Sequence, residues 1–91
     1  MSKIDKLIAQ KRRESPEFDG EFQKEMDRMI SAVAVKRLRD DLHLTQREFA
    51  SLVGKPQSTI ARIESGATEA SMATLREIAE KTEKKIEILF V

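Results

Sequence analysis

Cysteine, tryptophan and tyrosine are missing from this 91-residue chain, and histidine occurs once, at position 43. Without thiols there is no disulfide framework and no thiolate metal site, and a lone imidazole offers no pair for acid–base work. Enzyme activity is therefore disfavoured, and neither metal nor cofactor nor small-molecule substrate is expected. A chain without cysteine fits a cytoplasmic address. No apolar run approaches the roughly 20 residues of a membrane span, and the first thirteen residues read as too polar for a secretory leader. Only three glycines and two prolines occur, so interior breaks should be few and sharply placed. Charge of one sign is lacking too: 36% of residues are charged, yet they sum to +1. Any anionic partner must then be met by local charge distribution.

That distribution is uneven. Residues 1–15 carry five basic and two acidic groups, and residues 16–30 carry five acidic and two basic ones. A first candidate helix starts at Ser2 with Ile4, Leu7 and Ile8 on one side, and it dissolves at Lys11, Arg12 and Arg13. Ser15-Pro16 then reads as a cap with proline in the first helical position, opening a helix that can run to Asp41 across Gly20. On that helix Phe18, Phe22, Met26, Met29 and Val33 fall on one stripe, while Val35, Leu38 and Leu42 fall roughly opposite. One straight helix cannot bury both stripes in one small core. Either the chain breaks near Ser31, which can cap a new helix, or the first half offers its apolar face to something outside the core.

The densest signal follows. Thr45 and Glu48 form a capping box flanked by a hydrophobic staple of Leu44 and Phe49, which predicts a helix from Gln46 to a tight or left-handed turn at Gly54. Pro56 opens a second short helix, Gln57 to about Glu64, closed by Ser65 and Gly66. Two short helices joined by a glycine turn make a helix-turn-helix. In the second of them Pro56, Ile60 and Ile63 share one side, and Gln57, Ser58, Ala61 and Arg62 lie almost opposite. Gln and Arg suit adenine and guanine edges, and Ala61 permits close approach. A merely solvated helix would usually carry Glu and Lys there, and this face has none. His43 reads as a helix end and not as a ligand, since a single His has no fellow ligand. Ser71 caps a last helix whose buried stripe should be Met72, Leu75, Ile78 and Ala79, with Arg76, Glu80 and Lys81 wet. The run from Ile86 to Val91 is β-branched and aromatic with no partner strand in a helical chain. It is either a strand completed by a second copy, through Ile86, Ile88 and Phe90, or a tail folded onto the helices.

Residues 38–78 resemble the XRE-type, phage-repressor-like helix-turn-helix family, through Thr45-Gln46, Ala50, Gly54, Gln57-Ser58-Thr59-Ile60, Arg62-Ile63-Glu64 and Gly66. The resemblance implies double-stranded operator DNA as partner and DNA contacts from Gln46, Lys55, Gln57, Ser58, Thr59, Ala61 and Arg62. Gln46 would bind a phosphate or support the reading helix, and Arg39 would pair with Glu64. Three positions depart from the pattern: His43 stands where Gly is frequent, Lys55 where an apolar residue is, and Pro56 where a Ser or Thr cap is. Lys55 can meet a phosphate instead, while the missing cap weakens the start of the reading helix.

Over nearly the whole length the chain also resembles small antitoxins of the HigA type. They bind a toxin of the RelE/HigB ribonuclease superfamily and repress their own operon as homodimers. By that resemblance the partner-binding surface would be Phe18, Phe22, Met26 and Met29, with Glu17, Asp19, Glu21, Glu25 and Asp27 matched to a basic enzyme. The expected fold is all-α: a lambda-repressor-like bundle with an N-terminal helical extension (1–30), a DNA-binding domain (31–83) and a C-terminal dimerisation strand (84–91). The rival readings are a free-standing phage or plasmid repressor without a toxin partner, and an adaptor that uses the hairpin for protein contacts.

Overall fold

The computed structural model describes residues 16–90, with side chains from residue 20 onward. Four helices run along them: α1 (Pro16–Asp41), α2 (Gln46–Val53), α3 (Gln57–Glu64) and α4 (Met72–Lys81). The expected helix from Ser2, the basic arm, the side chain of Phe18 and residue Val91 lie outside the described part.

Helix α1 is continuous through Ser31, so the alternative of a break there is set aside. Serine favours a cap only when its hydroxyl has amides to satisfy ahead of it. Here the Ser31 hydroxyl donates to the Arg28 carbonyl one turn back, at 3.2 Å, and accepts the Ala70 N–H, also at 3.2 Å. Both needs of a buried hydroxyl are met inside an unbroken helix. A 26-residue helix rises about 39 Å, which accounts for most of the 44 Å long axis of the molecule.

The core forms where α1 meets the two short helices. Val35, Phe49, Ala50, Val53, Ile60, Ile63, Ala70 and Ile78 are buried together, and Leu38, Leu42, Leu44 and Leu75 pack against them. Phe49 and Ile60 are wholly enclosed; burying each contributes roughly 1.5–3 kcal/mol. Helix α3 packs on both α1 and α2, α4 packs on α2, and Ile78 brings α4 into the same core. Only the second half of α1 joins this core. On the side of α1 away from the core Met29 is 58%, Ile30 61% and Val33 51% exposed, while Phe22 and Met26 in its first half are half-buried. At about 100° per residue, the stripe of Phe22, Met26, Met29 and Val33 is centred roughly 150° from the Ala32, Val35 and Leu38 side.

Three expectations need correction. Met72 is exposed, although Ile78 and Ala79 are buried and Leu75 packs on the core. It stands in the first turn of α4 and lines an open groove between α4 and α1. Pro56 is exposed as well. It precedes α3 with extended backbone (φ −60°, ψ 146°), so helical spacing does not govern where it points. Finally, the C-terminal strand is absent: residues 84–90 carry no strand, and Ile86, Ile88 and Phe90 are exposed. A strand needs an edge to pair with, and the described residues of one chain offer none. What ends α4 is local. The Thr82 hydroxyl donates back to the Ile78 carbonyl at 2.8 Å, Glu83 takes a left-handed φ of 58°, and the Lys84 N–H reaches the Ala79 carbonyl at 2.8 Å.

Candidate nucleic-acid interface

The hairpin of α2 and α3 is set by its ends. Thr45 accepts the Glu48 N–H at 3.1 Å while its own N–H donates to the Glu48 carboxylate at 2.9 Å. Hydrogen bonds to the carboxylate from the Thr45 backbone N–H, and in lesser part from its hydroxyl, hold the Glu48 carboxyl below its ordinary range. The N-terminus of α2 is thereby fixed as the capping box foretells. At the other end Gly54 has φ 70° and ψ 32°, with its N–H turned back to the Ala50 and Ser51 carbonyls. A side chain at that φ costs about 1–2 kcal/mol, so the turn needs glycine. The left-handed end of α1 is instead made by His43 at φ 58°. Ala50, 3% exposed, lets α2 and α3 approach closely.

Helix α3 divides as its spacing indicates. Ile60 and Ile63 are buried, Gln57, Ser58 and Arg62 are exposed, and Thr59 and Ala61 are half-buried. The outer face therefore presents an amide, hydroxyls, a methyl and a guanidinium, with no carboxylate among them. No side-chain hydrogen bond caps the start of α3 at Pro56. Its first amides are thus available to an oxyanion or water.

A charged clamp fixes this helix to the body. Arg39 of α1 donates from Nε to Glu64 Oε2 at 2.8 Å and from a second nitrogen to Oε1 at 2.9 Å, and its third nitrogen donates to the Leu44 carbonyl at 2.9 Å. Gln46 adds a bond to Glu64 Oε1 at 3.2 Å. Burial disfavours the Glu64 charge, but bonds from Arg39 and Gln46, with the charges of Arg39 and Lys36, outweigh it and hold the carboxyl below its usual value. The hydrogen bond to Glu64 in turn raises Arg39 above the ordinary guanidinium range, against the opposing effect of burial. Gln46 is thereby tied to the last turn of α3.

Lys55, expected to face a phosphate, pairs with Glu77 of α4 at 2.5 Å and is a quarter exposed. Glu77, Lys36 beside Glu64 and the Ser31–Ala70 bond have no signal in the sequence, because no local spacing announces contacts so distant along the chain. The expected partner and dimer residues lie apart from this face. Phe22 and Met26 are half-buried along α1, and Met29 is exposed. Ile86 and Ile88 line a groove with α1 and α4. Among the described residues no helix is long and apolar enough to cross a membrane, and no group of three or more acidic or histidine side chains could hold a metal ion.

No curated protein and no solved structure matches the chain. A family model described as helix-turn-helix matches residues 35–89, more than half of the chain, from the buried part of α1 through the hairpin and α4. The matched span coincides with the segment in which Thr45, Gly54, Arg39 and Glu64 fix α3 with its carboxylate-free face outward, and the chain belongs to the helix-turn-helix family of DNA-binding transcription regulators.

Proposed function

We propose that this chain is a sequence-specific repressor that lays α3 in the major groove of a double-stranded operator. Gln57, Ser58, Ala61 and Arg62 read base edges, while Thr59, Lys55 and the open amides at the start of α3 meet the phosphates. Gln46 acts by holding Glu64. The observation that carries this reading is the clamp of Arg39 and Gln46 on Glu64, which fixes the last turn of α3 while leaving its outer face to a ligand. The test is a footprint and a base-substitution series. Gln57→Ala and Arg62→Ala should each relax base choice at one operator position and cost about 1–3 kcal/mol of affinity. Unchanged base preference in both variants would remove α3 as the reading element.

The likeness to HigA-type antitoxins extends the proposal. The chain would act in the cytoplasm as a homodimer, repress its own operon, and neutralise a basic ribonuclease toxin of the RelE/HigB kind. Phe22, Met26 and Met29 would be covered by the toxin, and Glu21 and Glu25, both exposed, would steer the encounter. The observation favouring a protein partner is the exposure of Met29 and Val33 on the side of α1 away from the core. Phe22→Ser with Met26→Ser should abolish toxin binding in a pull-down and leave operator affinity and thermal unfolding near wild type. Loss of the fold would make the stripe structural and favour a free-standing phage or plasmid repressor.

A further inference from the structure

The stretch before α1 and the apolar stripe of α1 carry one pattern twice, in opposite order. Ile8, Ile4 and Met1 stand seven, eleven and fourteen residues before Ser15, and Phe22, Met26 and Met29 stand seven, eleven and fourteen residues after it. Both triplets keep the three- and four-residue steps of a single helix face. A chain that turns at residues 13–15 and runs back as a helix antiparallel to α1 sets Ile8 level with Phe22, Ile4 with Met26 and Met1 with Met29. Connections of about two to five residues join such helices. The reach suffices, since fourteen helical residues rise about 21 Å on either limb. Charge is mirrored as well: residues 1–15 carry five basic and two acidic groups, and residues 16–30 carry five acidic and two basic ones. At about 100° per residue, Lys3 and Lys11 fall on the flank of the arm that this hairpin lays beside Glu25 and Glu21, both exposed on α1. The stripe itself calls for cover. Met29 is 58% exposed, and Phe22 and Met26 are half-buried although neither belongs to the core.

We propose that residues 1–13 fold back over Phe22, Met26 and Met29 as an internal latch, so that the chain's own arm occupies the stripe until a partner displaces it. Register and charge choose this occupant, because the arm holds the matching apolar spacing and the opposite charge in one segment. Its tether at Pro16 adds a local concentration on the order of millimolar. Surface ion pairs contribute little stability; here they select the antiparallel register. The contact needs no toxin. That a toxin must compete with it rests on the toxin reading above, and its apparent affinity would be reduced to the fraction of chains whose arm is open.

Disulfide trapping in the full chain tests the latch, since no native cysteine interferes. Ile4→Cys with Met26→Cys, and Ile8→Cys with Phe22→Cys, should close intramolecular disulfides in a glutathione buffer about tenfold faster than Ile4→Cys with Lys24→Cys. Lys24 is exposed and turned roughly 160° from Met26 on α1. Lys3→Glu with Lys11→Glu should slow the first closure about threefold, and adding Glu21→Lys with Glu25→Lys should restore it. Thermal unfolding of the reduced forms should match the wild type, because Glu21, Phe22, Glu25 and Met26 lie outside the core. Closure no faster than in the Lys24 control would overturn the latch. So would disulfide-linked dimers as the main product, which would give the stripe to a second copy, or a rate that charge reversal leaves unchanged. The readout contains no toxin, so a stripe that binds no ribonuclease strikes the toxin reading and leaves the latch standing.

Discussion

Replacing Arg39 by Met takes away two charge-assisted bonds to Glu64 and one bond to the Leu44 carbonyl, and leaves a carboxylate whose side chain is 5% exposed with Gln46 alone. Breaking a buried pair on one side costs about 3–5 kcal/mol. Arg39 is itself 15% exposed, and a water can take part of its place, so about 2–4 kcal/mol is expected here. For a domain of this size that corresponds to a fall in Tm of roughly 10–25 °C. The loss depends on pH in a stated direction. In the wild type the folded Glu64 ionises below its unfolded value of about 4.3, so its stabilisation is present above that value and is lost as pH falls through the folded pKa. In Arg39→Met burial acts on Glu64 with little to offset it and moves its folded pKa upward. The gap between variant and wild type should therefore be full at pH 7 and shrink towards pH 3. Urea unfolding at both pH values, with Glu64→Leu and the double variant completing a cycle, measures the coupling. A variant within about 0.5 kcal/mol of wild type at pH 7, or an equal deficit at both pH values, would refute the account of the clamp.

Glu77→Gln should release Lys55 from its ion pair, raise affinity for specific and non-specific duplexes alike, and steepen the salt dependence by about one phosphate contact; Lys55→Ala should do the reverse, and a salt series showing no change in slope would strike Lys55 from the phosphate ligands. His43→Gly should stabilise the fold by roughly 0.5–1 kcal/mol, since the left-handed penalty of about 1–2 kcal/mol exceeds the entropy that glycine adds to the unfolded chain. Calorimetry finding His43→Gly no more stable than the wild type would mean that the imidazole makes a compensating contact.

The hairpin was legible because its determinants are local. Thr45 and Glu48 are three residues apart, Gly54 announces its own turn, and Ile60 and Ile63 mark a buried side within one helical turn. Arg39 and Glu64, distant in sequence, were placed together only through the family resemblance; residue pattern alone had no means to join them. Where prediction failed, the deciding atom came from elsewhere in the fold. Ser31 looked like a cap because the Ala70 amide that occupies its hydroxyl is far along the chain. Met72 shares the period of Leu75 and Ile78, but periodicity does not tell where a core stops. The apolar and β-branched character of residues 86–90 was real, yet side-chain preference supplies no neighbouring edge, and a strand is a property of two segments.

The unbroken passage of α1 through Ser31 makes the helix a lever as well as a wall. Its buried half is locked to the reading helix through Arg39 and Val35, and its projecting half has no hinge before Ile30. Cargo gripped near Phe22 would then be carried at a set azimuth relative to the duplex, one full helix turn per 3.6 residues. Adding a single alanine between Met29 and Ser31 would swing that cargo by about 100° and lift it by about 1.5 Å, at the cost of the Ser31–Arg28 bond that spans the insertion. Spacing along this one helix is thus a phase relation between operator and cargo, and insertions of three or four residues, which nearly restore the phase, should be tolerated where one or two are not.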